Sequence, residues 1–334
     1  MKKFKIMMQV GLAVFFFALL ATSTVFADDT DSEGWQFVQE NGRTYYKKGE
    51  IKETAWRVID GKTYYFDHVS GEMVVGWQYI PFPSKGSTIG PYPNGLRLEY
   101  MPMPKWYYFG QDGVLQEFVG KQVLEAKTAT NTNKHHGEQY DSPAEKRVYY
   151  FEDQRSYHTL KTGWIYDEGD WYYLQKSGGF DARINSLTVG EPVRGWINDD
   201  STWYYLDPTT ATMQTGWKQL GNKWYYLRSS GAMATGWYQE GSTWYYLDAE
   251  NGDMKTGWQY LGNKWYYLRS SGAMATGWYQ EGSTWYYLNA SNGDMKTGWF
   301  QVNGKWYYAY SSGALAVNTT VEGYSVNYNG EWVQ

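Results

Sequence analysis

Apolar and aromatic residues along this chain fall in short runs broken by glycine turns, and the runs recur. In the clearest example Gly216-Trp217-Lys218-Gln219-Leu220 is followed by Gly221-Asn222 and then Lys223-Trp224-Tyr225-Tyr226-Leu227. Two aromatic-rich runs flanking a two-residue Gly-Asn turn predict a β-hairpin, because turns of this type match the twist of the strands they join. Asp60-Gly61, Gly262-Asn263 and Asn303-Gly304 fill the same role elsewhere. Strands this rich in aromatic residues leave little room for a helical reading. Segments such as Ser229-Ser230-Gly231-Ala232 and Glu250-Asn251-Gly252-Asp253 connect one hairpin to the next.

The tryptophans of the Gly-Trp pairs are Trp196, Trp217, Trp237, Trp258, Trp278 and Trp299, spaced 21, 20, 21, 20 and 21 residues apart. Two alternating units therefore make a 41-residue super-repeat, and residues 221–247 return without change at 262–288. A period in this range signals stacked supersecondary units, none of which buries its apolar face alone. The predicted fold is an all-β solenoid of hairpins.

Towards the N-terminus the pattern loosens. Trp164 with Trp171 and Trp196 with Trp203 are recognisable units, while Trp77 pairs with Trp106 only across a long insertion. Thr44-Tyr45-Tyr46, Thr63-Tyr64-Tyr65 and Val148-Tyr149-Tyr150 keep the tyrosines and lose a tryptophan. Insertions at roughly 78–104, 119–147 and 175–194 interrupt this half, and the first holds six of the nine prolines. Loops of that length inside a repeat array are commonly functional. The expected organisation is a leader at 1–27, irregular repeats with insertions at 28–195 acting as an effector module, and regular repeats at 196–334.

Lys2, Lys3 and Lys5, the apolar stretch Val10–Leu20 and Val25-Phe26-Ala27 predict a secretory signal peptide cleaved after Ala27. No second hydrophobic span, wall-sorting motif or lipidation cysteine follows, so attachment to a surface would be non-covalent and without membrane insertion. With no cysteine, an exported chain gains no help from disulfides. Packing must supply the stability, and aromatic residues make up 20% of the chain. The net charge is −5, and losing the three leader lysines takes it to −8, which disfavours nucleic acid or an anionic membrane as partner.

The chemistry these residues offer is a cage. The Gly-Trp tryptophan and the first tryptophan of Trp-Tyr-Tyr give two electron-rich walls, and the next hairpin can give a third. Such faces attract a weakly hydrated cation, above all a quaternary ammonium, and a methionine such as Met233 or Met254 suits the floor. Ammonium or guanidinium ligands would call for a carboxylate or carbonyl partner, and the repeats offer no acid at a fixed place. The competing view is that these aromatics are simply core. Tryptophan paired in every regular unit, where leucine or valine would fill a core, argues for the cage. The second tyrosine and the leucine of Trp-Tyr-Tyr-Leu are expected to be core.

The units at 216–237 and 236–258 resemble the choline-binding repeats of surface proteins from pneumococcus and its relatives, and the whole chain resembles members made only of such repeats. The motif is highly specific over 195–317 and degenerate over 34–194. The resemblance implies a left-handed superhelix of hairpins with choline as ligand between consecutive hairpins and no other cofactor. It implies non-covalent attachment at the cell wall to phosphocholine on wall teichoic and lipoteichoic acids, with roles in host adhesion, immune evasion or control of wall hydrolases. Host proteins or a wall hydrolase are then the further partners.

Carried onto this sequence, each cage takes two tryptophans of one unit, the first tyrosine of the next Trp-Tyr-Tyr and the methionine between. This gives Trp196, Trp203, Tyr225 and Met213; Trp217, Trp224, Tyr245 and Met233; and Trp237, Trp244, Tyr266 and Met254. Trp258, Trp265, Tyr286 and Met274 follow, then Trp278, Trp285, Tyr307 and Met295. Trp164, Trp171 and Tyr204 form a further set, in which the 175–194 insertion separates the units and removes the methionine. Trp299 and Trp306 have no following Trp-Tyr-Tyr, so a site there requires Tyr324 or Trp332.

An enzyme finds little support. The four histidines, His68, His135, His136 and His158, show no metal-ligand spacing. There is no thiol nucleophile, and Asp167-Glu168 and Asp199-Asp200 fall at expected hairpin turns rather than flanking one bond as a glycosidase requires. The expectation is a non-catalytic protein without a metal. The alternatives are a wall hydrolase with an unfamiliar site in the N-terminal half, and glucan binding by the same repeats, against which the methionine beneath paired tryptophans argues.

Overall fold

Every regular unit folds as the antiparallel hairpin its pattern predicts. Gly216–Leu220 pairs with Lys223–Leu227 so that Trp217 faces Tyr226 and Gln219 faces Trp224. Side chains alternate across a strand, so Trp217, Tyr226 and Trp224 share one face, the two tryptophans on a diagonal. The same register returns in Gly195–Asp199 with Thr202–Leu206, Gly236–Glu240 with Thr243–Leu247, Gly257–Leu261 with Lys264–Leu268, and onward. The turns use left-handed backbone, as at Asn303 and Gly304 with φ of 48° and 80°. These are the mirror-image turn conformations that Asn and Gly tolerate.

This computed structural model describes residues 24–25, 34–81, 104–139, 145–153, 158–176 and 187–333, and among them there is no helix. The leader expected at 1–27, apart from Thr24–Val25, and most of the 78–104 insertion lie outside the described residues. The chain divides into two compact units, Met1–Gly163 with Leu174–Pro192, and Trp164–Tyr173 with Val193–Gln334.

In the second unit a trailing segment follows each hairpin and bridges back to it, Leu227 to Met233 and Leu247 to Met254. It also reaches the previous hairpin, because the Met233 amide donates to the Trp203 carbonyl at 2.8 Å and that of Met254 to Trp224 at 2.7 Å. The leucine of each Trp-Tyr-Tyr-Leu is the core. Leu206, Leu227, Leu247, Leu268 and Leu288 are fully buried, joined by Ala234 and Ala275.

The first unit uses the same hairpins with a different filling. Gln36–Glu40 pairs with Arg43–Lys48, Ala55–Ile59 with Lys62–Phe66, and Val74–Ile80 with Lys105–Phe109. Here the aromatic rings are interior: Trp56, Tyr65, Tyr107 and Phe109 pack in one cluster, and Tyr46, Tyr64 and Phe66 in another. The region predicted as an insertion at 119–147 contains the first strand of the hairpin that Val148-Tyr149-Tyr150 completes. Gly120–Glu125 pairs with Lys146–Phe151, with Lys121 where a regular unit has tryptophan, and Lys134–His135 adds to the edge of Val74–Ile80. Replacing the tryptophan by lysine removed the sequence signal while the glycine kept the backbone, Gly120 having a φ of 70°.

Candidate functional site

The second unit places the paired tryptophans at its surface. Trp203, Trp224, Trp244, Trp265 and Trp285 are 37–43% exposed, whereas Trp77 and Trp106 of the first unit are almost fully buried. A large apolar ring left this open by a unit with a leucine core is not required for packing. The Gly-Trp ring stands nearly perpendicular to its partner, with 6.3 Å between centroids and 85° between planes for Trp196 and Trp203, and 6.4 Å and 82° for Trp258 and Trp265.

The next hairpin closes each corner with its first tyrosine. Centroids are 5.1 Å apart for Trp196 and Tyr225, and 4.9 Å for Trp217 and Tyr245, Trp237 and Tyr266, Trp258 and Tyr286, and Trp278 and Tyr307. Trp164 and Tyr204 are 4.8 Å apart, with Trp171 at 6.5 Å from Trp164. The structure thus brings together each predicted pair of tryptophans with its predicted tyrosine.

The methionines are displaced by one unit from the expected sets. Met233, not Met213, lines the cavity of about 410 Å³ with Trp196, Trp203 and Tyr225. Met254 replaces Met233 beside Trp217, Trp224 and Tyr245, and Met295 replaces Met274 beside Trp258, Trp265 and Tyr286. The cause is the trailing segment, whose amide bonds back to the previous hairpin's second tryptophan. The same bond assigns Met213 to Trp171 and Met274 to Trp244, and it puts Leu315 in place of Met295 at Trp285. The Trp164 set, expected to lack a methionine, therefore has Met213.

This floor depends on a glycine. At Gly252, with a φ of 73°, an added Cβ would lie 2.4 Å from the Met233 sulfur. Gly252→Ala is accordingly expected to push Met233 out of the Trp196 cage and leave the other cages unchanged, as a crystal structure of the variant would show.

An acid does recur, in every second cage, contrary to the expectation that carboxylates have no fixed place. The Trp217 indole donates to Glu240 at 3.1 Å, Trp258 to Glu281 at 3.1 Å, Trp299 to Glu322 at 3.0 Å and Trp164 to Asp199 at 3.0 Å. Asp199, read from sequence as a solvated turn acid, also accepts from the Tyr173 hydroxyl at 2.9 Å. The intervening hairpins carry Leu220, Leu261 and Val302 at the equivalent strand end. The two alternating units of the super-repeat therefore build two kinds of cage, one with a carboxylate bonded to its Gly-Trp indole and one without that bond, as at Trp196, where Lys223, Met233, Glu250 and Asn251 also line the cavity. The sequence shows this alternation as Gly-Trp-Tyr-Gln-Glu against Gly-Trp-Lys-Gln-Leu, and a search for an acid in every unit misses it. Tyr238, whose phenol burial and its contact with Tyr226 push well above the usual range, stacks on Tyr226 at 3.9 Å and stays a proton donor towards Glu240.

After the last regular hairpin, Trp299, Trp306, Tyr324 and Trp332 line a cavity of about 350 Å³. Both aromatic candidates for closing that site are present. The terminal strands Thr319–Val321, Tyr324–Val326 and Trp332–Val333 supply them.

His135 lies beside Glu72 and Glu138 at 3.2 and 3.4 Å, within reach of a shared cation. Arg43 already pairs with both carboxylates, so this group is an ion-pair network joining three segments of the first unit.

These features agree with the comparisons. The family model "Choline-binding repeat" matches residues 214–256 and 255–300, and the model "Putative cell wall binding repeat" matches 104–115, 162–180, 195–209 and 297–315. The chain is 74% identical to the structure of CbpJ from Streptococcus pneumoniae, over 90% of this chain and 100% of that one, with a TM-score of 0.78. It is 62% identical to choline-binding protein F from the same organism, over 90% and 99%, with a TM-score of 0.83. The chain belongs to the choline-binding protein family. A complex of CbpF with ipratropium, obtained by soaking, is 59% identical over 90% of this chain and 99% of that one, with a TM-score of 0.80. A search of curated protein sequences gives no match. The all-β hairpin architecture and the repeat identity read from the sequence are those of this family.

Proposed function

We propose that this choline-binding repeat protein is an exported, non-catalytic protein that attaches to phosphocholine on wall teichoic and lipoteichoic acids through the cages of its second unit. The observation that carries this reading is the row of exposed tryptophan pairs, each closed by a tyrosine from the next hairpin. Three ring faces at about 0.5–2 kcal/mol each sum to roughly the 4 kcal/mol of a millimolar site. A single site of that strength would not hold a protein on a wall. Several on one array, facing a polymer with many phosphocholines, gain by effective concentration. The ring faces favour a methylated cation, whose weak hydration makes it easy to transfer onto them, while the carboxylates bonded to the indoles add charge attraction to any ammonium.

The first unit, with buried aromatics and long insertions, is assigned the surface role in adhesion, immune evasion or regulation of wall hydrolases. The experiment is retention of the mature chain, residues 28–334, on immobilised choline followed by elution with free choline. Retention that free choline does not reverse counts against the reading. Incubation with choline-containing walls is expected to release neither sugar nor peptide ends, and sustained release would establish a hydrolase.

A further inference from the structure

One pair of tryptophans in the first unit has the geometry of the cages described above. Trp77 and Trp106 stand 6.2 Å apart at 84°, against 6.3 Å and 85° for Trp196 and Trp203. Tyr149, the first tyrosine of Val148-Tyr149-Tyr150, lies 4.7 Å from Trp77, in the position that the next hairpin's tyrosine takes elsewhere. Leu160 donates its amide to the Trp106 carbonyl at 3.0 Å, the bond that seats each floor methionine in the second unit. Walls and floor are complete.

This cage differs from the others in being sealed and filled. Trp77, Trp106 and Tyr149 are buried, and so is Lys127, 4% exposed, whose ammonium points into the corner. Lys127 Nζ lies 4.7 Å from the Trp77 centroid, 5.6 Å from Trp106 and 4.0 Å from Tyr149, and it donates to the Val189 carbonyl at 2.8 Å. A buried lysine without such surroundings is strongly disfavoured. Burial pushes this ammonium down to about 7, with Glu191 opposing the fall, and the three ring faces also favour the charged form. Glu191 is itself held by Arg147 and accepts from the Tyr149 hydroxyl at 3.1 Å. The cation, its ring faces and a nearby acid reproduce within one chain the set of interactions that the carboxylate cages of the second unit offer to a ligand.

We propose that Lys127 is a built-in ligand: the Trp77–Trp106–Tyr149 cage is an alkylammonium site occupied by the chain's own amine and thereby withdrawn from choline binding. This rests on the reading of the second-unit cages as cation sites. It gives the lost repeat of the first unit a use, because a cage that carries its own cation is stable whether or not choline is present. Choline then stabilises the second unit and leaves this hairpin unaffected.

Lys127→Ala removes three methylenes and the ammonium, a fragment that n-propylammonium reproduces. In saturating choline, which fills the exposed cages, n-propylammonium is expected to bind the full-length mature Lys127→Ala protein at one site and to raise its melting temperature by several degrees. Wild type and Lys127→Met, whose apolar chain refills the corner, are expected to bind none, and n-propanol is expected to rescue nothing. Absence of a site in folded Lys127→Ala, or equal rescue by n-propanol, overturns the proposal. Choline binding at the exposed cages of the same sample shows that the broader reading stands independently. Wild-type protein crystallised with choline gives a second test that requires no variant: choline in the exposed cages with the Lys127 ammonium still between Trp77 and Tyr149 supports the proposal, and choline in its place refutes it.

Discussion

Replacing Trp203, Trp224, Trp244, Trp265 and Trp285 together by alanine is expected to weaken retention on immobilised choline sharply, leaving only the corners at Trp164 and Trp299, while the hairpins stay folded. Each of these rings is 37–43% exposed and sits over a leucine core that the substitution does not touch. Each substitution removes one of three faces from a cage, about 0.5–2 kcal/mol per site. Because the sites act in series on one array, the losses compound, and most of an avidity gain of roughly 10²–10⁴ disappears with them. The comparison is elution from a choline resin alongside far-ultraviolet dichroism of the same sample. A variant that stays folded and is still retained like wild type shows that the tryptophans are not the contact surface.

Leu247→Ala is expected to have a large effect on the stability of the second unit. Leu247 is fully buried, and its truncation costs about 2–5 kcal/mol by lost transfer energy and the cavity left behind. The damage reaches a binding site, because Leu247 bridges to Met254, which lines the cage of Trp217, Trp224 and Tyr245. Ligand that binds only the folded form stabilises it by mass action, about 2.7 kcal/mol at a hundredfold excess over the dissociation constant for one site. Thermal melts should therefore show a large drop for Leu247→Ala that added choline partly reverses. A drop under about 1 kcal/mol, or one indifferent to choline, contradicts the placement of this leucine as core beneath a choline site.

The hairpins were legible because strand, turn and period coincide. Trp217 and Trp224 flank Gly221-Asn222 at the one spacing that puts both on a single face, and the 41-residue repetition fixes which units are neighbours. The tyrosines came instead from the resemblance to choline-binding repeats, which implies that the next hairpin's first tyrosine closes each corner. The methionine positions were not legible, because the bond that seats Met233 runs from its backbone amide to the carbonyl of Trp203 in the previous hairpin. A backbone hydrogen bond leaves no mark on residue type.

The acids were hidden for another reason. Glu240 and Glu281 sit at strand ends where a solvated charge is the common case, and their role depends on an indole from the preceding hairpin. In the first unit the signal failed where one residue changed its duty. Ala55 takes a φ of 63°, the left-handed conformation that glycine supplies before the tryptophan in regular units. Lys121 stands where the tryptophan of that hairpin would be. The cage of Trp77, Trp106 and Tyr149 was obscured because its two tryptophans are separated by 28 intervening residues in sequence and brought within 6.2 Å only by the hairpin.

Wall attachment as proposed requires that the surface tryptophan corners of the second unit hold choline. A crystal structure at saturating choline tests it most directly. The expected result is a trimethylammonium group between the paired tryptophans and the following tyrosine at Trp196, Trp217, Trp237, Trp258 and Trp278, with the methionine or Leu315 below. Choline bound elsewhere on the protein with these corners empty would contradict it.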